Sequence, residues 1–435
     1  MKKFTLIFVF SLAWALTGFN QTDTPSSPDG KPQRSWYQMM QDPNANFYET
    51  QLAFYQSLKD TNLKMGRGYY KSFKRWEYIN QFRASRNGVL PLRSNELREY
   101  QNYISTHLTD GTKGSWTEVG PLIYPINATH PQPTGMGRIN AIAFHPTNPD
   151  ILYAGAPSGG IWKTVNGGQF WTYNSGNIPT IGVSAILINP NEPKIMYAGT
   201  GDIYGNDCTG TGIYKSIDGG SDWQAVNNGI PANTTVGMMI MHPLKANIII
   251  AATSEGIYKT IDGGTNWEGK KTDVYPFKDI KFKPGDPSVV YATAGGQFFL
   301  STDTGNNWIE KVLPITGDRA VIGVSPNSPN TVYVCQTAGI FKGLLMSINS
   351  GDGFGIQSTS PVITGYECLG TDSVQQTNYN LCMTVDPNDA SKIYIGSINI
   401  WKSVNAGKNW TITAIWNADT TNCKNVAIGL INWNL

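Results

Sequence analysis

One eight-residue pattern, repeated six times, limits what this chain can fold into. Ser216-Ile217-Asp218-Gly219-Gly220-Ser221-Asp222-Trp223 reads as a strand end, a tight polar turn and an aromatic anchor on the return. The pattern Ser/Thr-x-Asp/Asn-x-Gly-x-x-aromatic returns at Thr164–Trp171, Thr260–Trp267, Ser301–Trp308, Ser347–Phe354 and Ser403–Trp410, at intervals of 41 to 56 residues. A period of about 40 to 50 residues is that of propeller blades. The stretch 139–175 shows one unit: INAIAF as a strand, HPTNPD as a turn, ILYAGA and GIWKTV as strands, the eight-residue turn, then FWTYNS. Four short strands per unit make a blade. Small residues after the second-strand tyrosines (Ala154, Gly155, Ala198, Gly199, Ala292, Gly396) suit strands crowded round a central channel.

The turn chemistry explains the recurring residue types. An Asp or Asn side chain accepts hydrogen bonds from backbone N–H groups two residues on, and the Ser/Thr hydroxyl caps the same turn. Gly168, Gly220, Gly264, Gly305, Gly351 and Gly407 fall where a positive φ is expected. The closing Trp or Phe is expected to bury its ring against the neighbouring repeat, worth about one to several kcal/mol. Asn166, Asp218, Asp262, Asp303, Asn349 and Asn405 are therefore read as structural, because they recur in every unit whereas an active site occurs once.

These units resemble the Asp-box, or BNR, repeat of sialidases, xyloglucanases and sortilin-type receptor propellers, over roughly residues 135 to 415. The resemblance implies an all-β protein, a β-propeller of four-stranded Asp-box blades. Six repeats are visible, in a ring that is incomplete or seven-bladed. Either the chain is a fragment, or ring closure borrows strands from 112 to 138. Asp-box repeats serve enzymes and binding proteins alike.

The domain plan follows from composition. Residues 1–20 (MKKFTLIFVFSLAWALTGFN) have a basic start, an apolar core of signal-peptide length and small residues suited to cleavage. Residues 21–35 are a polar, Pro-rich linker. Residues 36–110 are expected to be helical: Phe47, Gln51, Tyr55 and Leu58, then Tyr69, Phe73, Trp76 and Ile79, fall at helical spacing, and a third helix is expected from Ser94 with Leu97, Tyr100, Ile104 and Leu108 on one face. This segment is rich in Lys and Arg, and is expected to pack on the propeller with its charges in water. Residues 111–435 hold the propeller. WYQMMQDPNANFYETQLAFYQSL and FKRWEYINQFR resemble the leader region of large proteins that Bacteroidetes-type bacteria export by the type IX secretion system. That implies a secreted or cell-surface location and the secretion machinery as a partner.

A net charge of +2 points neither to nucleic acid nor to a membrane surface, and no stretch after the leader is long and apolar enough for a transmembrane segment. No C-x-x-C or His cluster suggests a metal, and no cofactor is expected. Of five cysteines, Cys368 and Cys382 flank one irregular stretch and are the expected disulfide pair.

Two insertions break the rhythm, Gly201–Gly212 and Gly353–Asn380, and insertions on a regular scaffold are where function usually sits. A sialidase needs a cluster of arginines for its substrate carboxylate; the propeller region has only Arg138 and Arg319. Xyloglucanases are the nearer resemblance, and glycoside hydrolysis needs a carboxylate pair. That family places a catalytic Asp after the first repeat's Tyr-Ala segment; here Pro157 stands there, in Tyr153–Gly160. Asp202 and Asp207, in the first insertion, are the remaining carboxylates for such a pair. The rival reading is a non-catalytic module binding a glycan, or an extracellular protein or peptide. Its candidate ligand-binding residues are Arg138, Asp202, Tyr204, Asp207, Trp162 and Trp401, with aromatic rings for sugar stacking. Trp162 and Trp401 hold equivalent third-strand places, which also fits repeat packing.

Overall fold

The computed structural model describes residues 36–42, 44–58, 67–91, 98–99, 102–103, 138–180, 182–205, 208–372, 376–415 and 427–428. The chain divides into two compact units, residues 1–90 and 91–435. The leader and linker, and residues 112–137 of the closure segment, lie outside the described residues.

The first unit holds helices α1 (Trp36–Gln41), α2 (Phe47–Ser57) and α3 (Arg67–Asn80). Asn46 caps α2: its Oδ1 accepts from the backbone N–H groups of Tyr48 and Glu49. The core is aromatic. Phe54 stacks on Phe73 with centroids 3.6 Å apart, and Trp36 meets both edge-on at 5.0 and 6.0 Å. On α3 Phe73 is buried and Trp76 packs on the core as expected, though Ile79 is exposed; on α2 the buried residues are Phe47, Thr50 and Phe54, while Tyr55 and the capping Leu58 are exposed. The expected face of α2 is thus rotated by about one position. The reason is polar: Gln51 Nε2 and Tyr55 Oη donate to the Glu77 carboxylate at 2.7 and 3.0 Å, with Lys74 also bonded to it. Burial of Glu77 would raise its pKa, yet these donors hold it below the ordinary value. Of the helix expected from Ser94, Arg98, Glu99, Asn102 and Tyr103 are helical and the rest lies outside the described residues.

The second unit is an all-β propeller of six blades. Each blade is an antiparallel sheet taking four strands in chain order from the centre outward, and blade six adds a short parallel fifth strand, Ala427–Ile428, on its outer edge. The inner strands are Ala141–Phe144, Val183–Ile188, Val236–His242, Phe277–Lys283, Arg319–Val324 and Cys382–Val385.

The eight-residue turn closes the third strand of every blade in one way. In blade two the Ser216 hydroxyl donates to Asp218 Oδ1 at 2.8 Å and accepts from the Gly220 N–H at 2.9 Å. Asp218 Oδ1 accepts from Ser221 and Asp222 N–H at 2.9 and 3.0 Å. The carboxylate therefore reaches three and four residues ahead, not two as the sequence suggested; the hydroxyl makes the shorter link. The other five turns repeat the hydroxyl-to-Asx and glycine-to-hydroxyl bonds. All six glycines take φ between +78° and +93°. The residue before each is also left-handed, and is Thr304, Ser350 or Ala406 in the last three blades.

Five hydrophobic clusters bind the blades, each spanning two consecutive ones. Trp223, closing the turn of blade two, is 2% exposed and packs with Tyr153 and Ile161 of blade one. A second-strand tyrosine reaches into the next blade's turn: Tyr153 Oη donates to the Gly219 carbonyl at 3.1 Å and Tyr197 Oη to Gly263 at 2.9 Å. The small residues that follow these tyrosines answer to the neighbouring blade rather than to the channel. A Cβ on Gly155 would lie 2.9 Å from Val183 of the next inner strand, and one on Gly199 2.6 Å from Val236.

Candidate functional site

All six inner strands line a central cavity of about 250 Å³. One part of its wall is apolar, with Ile142, Ile186, Met238, Ile240, Val321 and Met383. The other gathers where the inner strands begin, and is polar: Asn140, Ser184, Lys278, Asp279 and Arg319, with Tyr204 supplied by the first insertion.

That insertion, between the second and third strands of blade two, turns Asp202 inward. Asp202 is fully buried and is ion-paired to Arg138, itself 6% exposed. The carboxylate also accepts from Asn140 Nδ2 at 3.1 Å, Tyr204 N–H at 3.2 Å and Gly205 N–H at 3.1 Å. The Arg138 guanidinium lies 3.8 Å from the ring centroid of Tyr379, which comes from the second insertion, before the inner strand of blade six. These groups carry the meeting of blades one and six among the described residues.

Arg319 stacks under the Tyr204 ring at 4.8 Å and donates to the carbonyls of Thr377 and Leu381. Burial holds its pKa below the ordinary guanidinium value. Burial also pushes the Tyr204 hydroxyl up to about 12. Lys278 is half-buried and lines the cavity. Burial first, then the nearby Arg319 charge, push its amine down to about 7. Asp279 Oδ2 accepts from the Ile322 N–H at 2.7 Å, and its Oδ1 lies 3.7 Å from Lys281. Burial raises the pKa of Asp318, beside Arg319.

Of the residues singled out by sequence, Arg138, Asp202 and Tyr204 come together here. Asp207 lies outside the described residues. Trp162 is on the third strand of blade one, 38% exposed, its indole N–H bonded to the Gly159 carbonyl at 2.8 Å and its ring edge-on to Tyr173 at 5.8 Å. Trp401 is 3% exposed, packed in the cluster between blades five and six, and takes no part in the cavity. Sequence reasoning did not single out Asn140, Lys278, Arg319 or Tyr379 as site residues. A usable sign was present: Arg138, Lys278 and Arg319 each fall at or near the start of an inner strand, where the repeats otherwise carry uncharged residues.

The expected disulfide is corrected. Cys368 is disulfide-bonded, but Cys382 is a buried thiol on the inner strand of blade six, its Sγ 3.7 Å from the Gly396 carbonyl. Cys208 and Cys335 are buried thiols too. No group of three or more His, Cys, Asp or Glu is placed to hold a metal among the described residues, and none of their helices is long and apolar enough to cross a membrane.

No family model matches the chain. A xyloglucanase of Hypocrea jecorina is 31% identical over 125 residues, 28% of this chain and 13% of that protein. A probable oligoxyloglucan-reducing end-specific xyloglucanase of Neosartorya fischeri is 28% identical over 98 residues, 21% of this chain and 11% of that protein. The matched segments are thus a small part of either relative. The solved structure of a GH74 xyloglucanase from Xanthomonas campestris superimposes with a TM-score of 0.50 at 14% identity, covering 66% of this chain and 48% of that one. At that identity the likeness speaks for the propeller fold alone.

Proposed function

We propose that this chain is an exported Asp-box propeller that binds a glycan without cleaving it. The observation that carries the reading is the state of Asp202. Four donors, one of them a buried guanidinium, occupy its oxygens. A general base needs a lone pair within reach of the proton it abstracts, and this carboxylate has its lone pairs committed to the fold. Pro157, buried between the second and third strands of blade one, offers no carboxylate where the xyloglucanase pattern has one. The local similarity to xyloglucanases supports a carbohydrate as partner. A signal peptide, the type IX route and a surface or secreted location belong to the same proposal. So does the kinship with sortilin-type propellers, which makes an extracellular peptide or protein the rival partner.

The second reading is a glycoside hydrolase of xyloglucan type, favoured by the 31% identity to a xyloglucanase over 125 residues. One experiment separates the two. The protein is incubated with xyloglucan, with reducing-end release and retention in affinity electrophoresis measured on the same sample. Retardation without new reducing ends is the expected result. Reducing ends that vanish in Asp202→Asn would establish hydrolysis and overturn the binding reading.

A further inference from the structure

The blades cover their flanks in one way. From blade one to blade six, the aromatic that closes each turn joins a cluster with two residues of the preceding blade, one on its second strand and one on its third. Trp223 packs with Tyr153 and Ile161, Trp267 with Tyr197 and Ile213, and the other three seams repeat the arrangement. The preceding blade also donates to the turn, at the carbonyl four residues before the closing aromatic. Tyr197 Oη and Lys215 Nζ reach the Gly263 carbonyl at 2.9 and 3.1 Å, and Lys259 Nζ reaches that of Thr304 at 2.8 Å.

Blade six carries the same set on its far flank: Tyr394, Ile400 and Lys402, with the Lys402 amine 5.4 Å from the Tyr394 ring centroid. Here the set lacks its cover. The equivalents of Tyr394 and Ile400 in the other five blades are at most 2% exposed, whereas these two are only half-buried. The Tyr394 hydroxyl meets no acceptor among the described residues. Blade one does not supply the cover. Its closing Trp171 joins no cluster with blade six among the described residues, and its Trp162 is 38% exposed where the equivalent residues, each packed on the preceding blade, are at most 6% exposed.

The sequence holds one more ring of the required kind. Outside the six turns, Trp116 is the one tryptophan with a Ser or Thr seven residues before it, in Thr109-Asp110-Gly111-Thr112-Lys113-Gly114-Ser115-Trp116. The Asp stands one place early and the Gly one place late. Trp116-Thr117 matches Trp171-Thr172 and Trp410-Thr411, which lead into the outer strands of blades one and six. The chain can reach. Arg138 lies against the Tyr379 ring, just ahead of the inner strand of blade six. Residues 120–137 span up to about 60 Å when extended, and crossing a blade from first to fourth strand takes about 15 Å.

We propose that residues 109–119 dock on the far flank of blade six, with the Trp116 ring on Tyr394 and Ile400 and the Thr112 carbonyl accepting from Tyr394 Oη and Lys402 Nζ. This holds whether or not the propeller binds a glycan.

The test is hydrogen–deuterium exchange of the full chain, read by mass spectrometry, in wild type, Trp116→Ala and Trp171→Ala. In wild type the amides of residues 116–119 are expected to exchange at least about tenfold slower than in a free peptide of the same sequence. Trp116→Ala is expected to speed exchange across residues 391–403 by about tenfold and to leave blades two and three unchanged, and Trp171→Ala to leave 391–403 unchanged. Free-peptide rates at 116–119 in the native wild type would overturn the proposal, and need no variant to fold. Faster exchange of 391–403 in Trp171→Ala but not in Trp116→Ala would overturn it too, and give the flank to blade one. An amine-reactive cross-linker, applied to a mixture of unlabelled and heavy-isotope-labelled chains, is expected to join Lys113 to Lys402 within one copy. The same link formed only between copies would give the flank to a second molecule and overturn the assignment.

Discussion

Replacing Asp202 by Ala distinguishes a carboxylate that holds the fold from one that does chemistry. The side chain is fully buried and anchors four donors. Its removal takes the Asp202 carboxylate away from the Arg138 guanidinium, which is 6% exposed and lies over the Tyr379 ring. Breaking a buried pair from one side costs about 3–5 kcal/mol. Two backbone N–H groups and the Asn140 amide lose an acceptor as well, which places the loss at the upper end of that range. Asp202→Asn keeps the shape and one acceptor oxygen and costs less. Replacing both partners, Arg138→Met with Asp202→Leu, recovers much of the loss because no charge is then stranded. Urea unfolding followed by tryptophan fluorescence and by far-UV circular dichroism supplies the numbers; both probes are needed, since a propeller of this size can unfold in steps. A cost under about 1 kcal/mol for Asp202→Ala would refute the reasoning, and would return this residue to the list of candidate catalytic acids.

Three further outcomes follow from the structure. Gly220→Ala forces a side chain onto φ +90° with its Cβ 2.3 Å from Asn174 Nδ2, and should cost about 1–3 kcal/mol by thermal denaturation, whereas Thr304→Gly, at φ +58°, relieves strain and should be neutral or stabilising. Lys278 must lose its proton more readily folded, near pH 7, than unfolded, near 10.5. The unfolded chain therefore binds the extra proton between those values, so this residue's contribution to stability rises with pH from about 7 to 10.5 and is unfavourable below. The Cys335 thiol, pushed up to about 12 by burial, acts in the opposite sense above its ordinary value of 9.0, so the measurable quantity is the difference in slope between wild type and Lys278→Met. Cys208, Cys335 and Cys382 should resist maleimide in the native state and react on unfolding, as read by peptide mass mapping.

The blades were legible because the turn is local. Its hydroxyl, carboxylate and glycine all lie within five consecutive residues, so spacing alone encodes their geometry, as at Ser216, Asp218 and Gly220. The cavity was only half legible. Asp202 and Tyr204 were found because an insertion marks them, and Arg138 because arginine is scarce in the propeller. Lys278 and Arg319 sit inside ordinary-looking strands, and what makes them special is where five other blades put their neighbours. The same limit explains the helical unit: periodicity placed α2 and α3, but the choice of buried face depended on Glu77, a carboxylate 22 residues away from Tyr55. It explains the cysteines too, since Cys368 and Cys382 are near in sequence while Cys382 is committed to an inner strand.

The seams between blades are not equivalent. Consecutive blades from one to six are joined by apolar clusters, and two of these seams also by a tyrosine hydroxyl set into the neighbour's turn. Among the described residues, blades six and one meet instead through an arginine laid on a tyrosine ring, with an ion pair behind it. A ring built this way behaves as a necklace with a clasp. The links are apolar and the clasp is polar, and because the ion pair behind it is buried, added salt scarcely screens it.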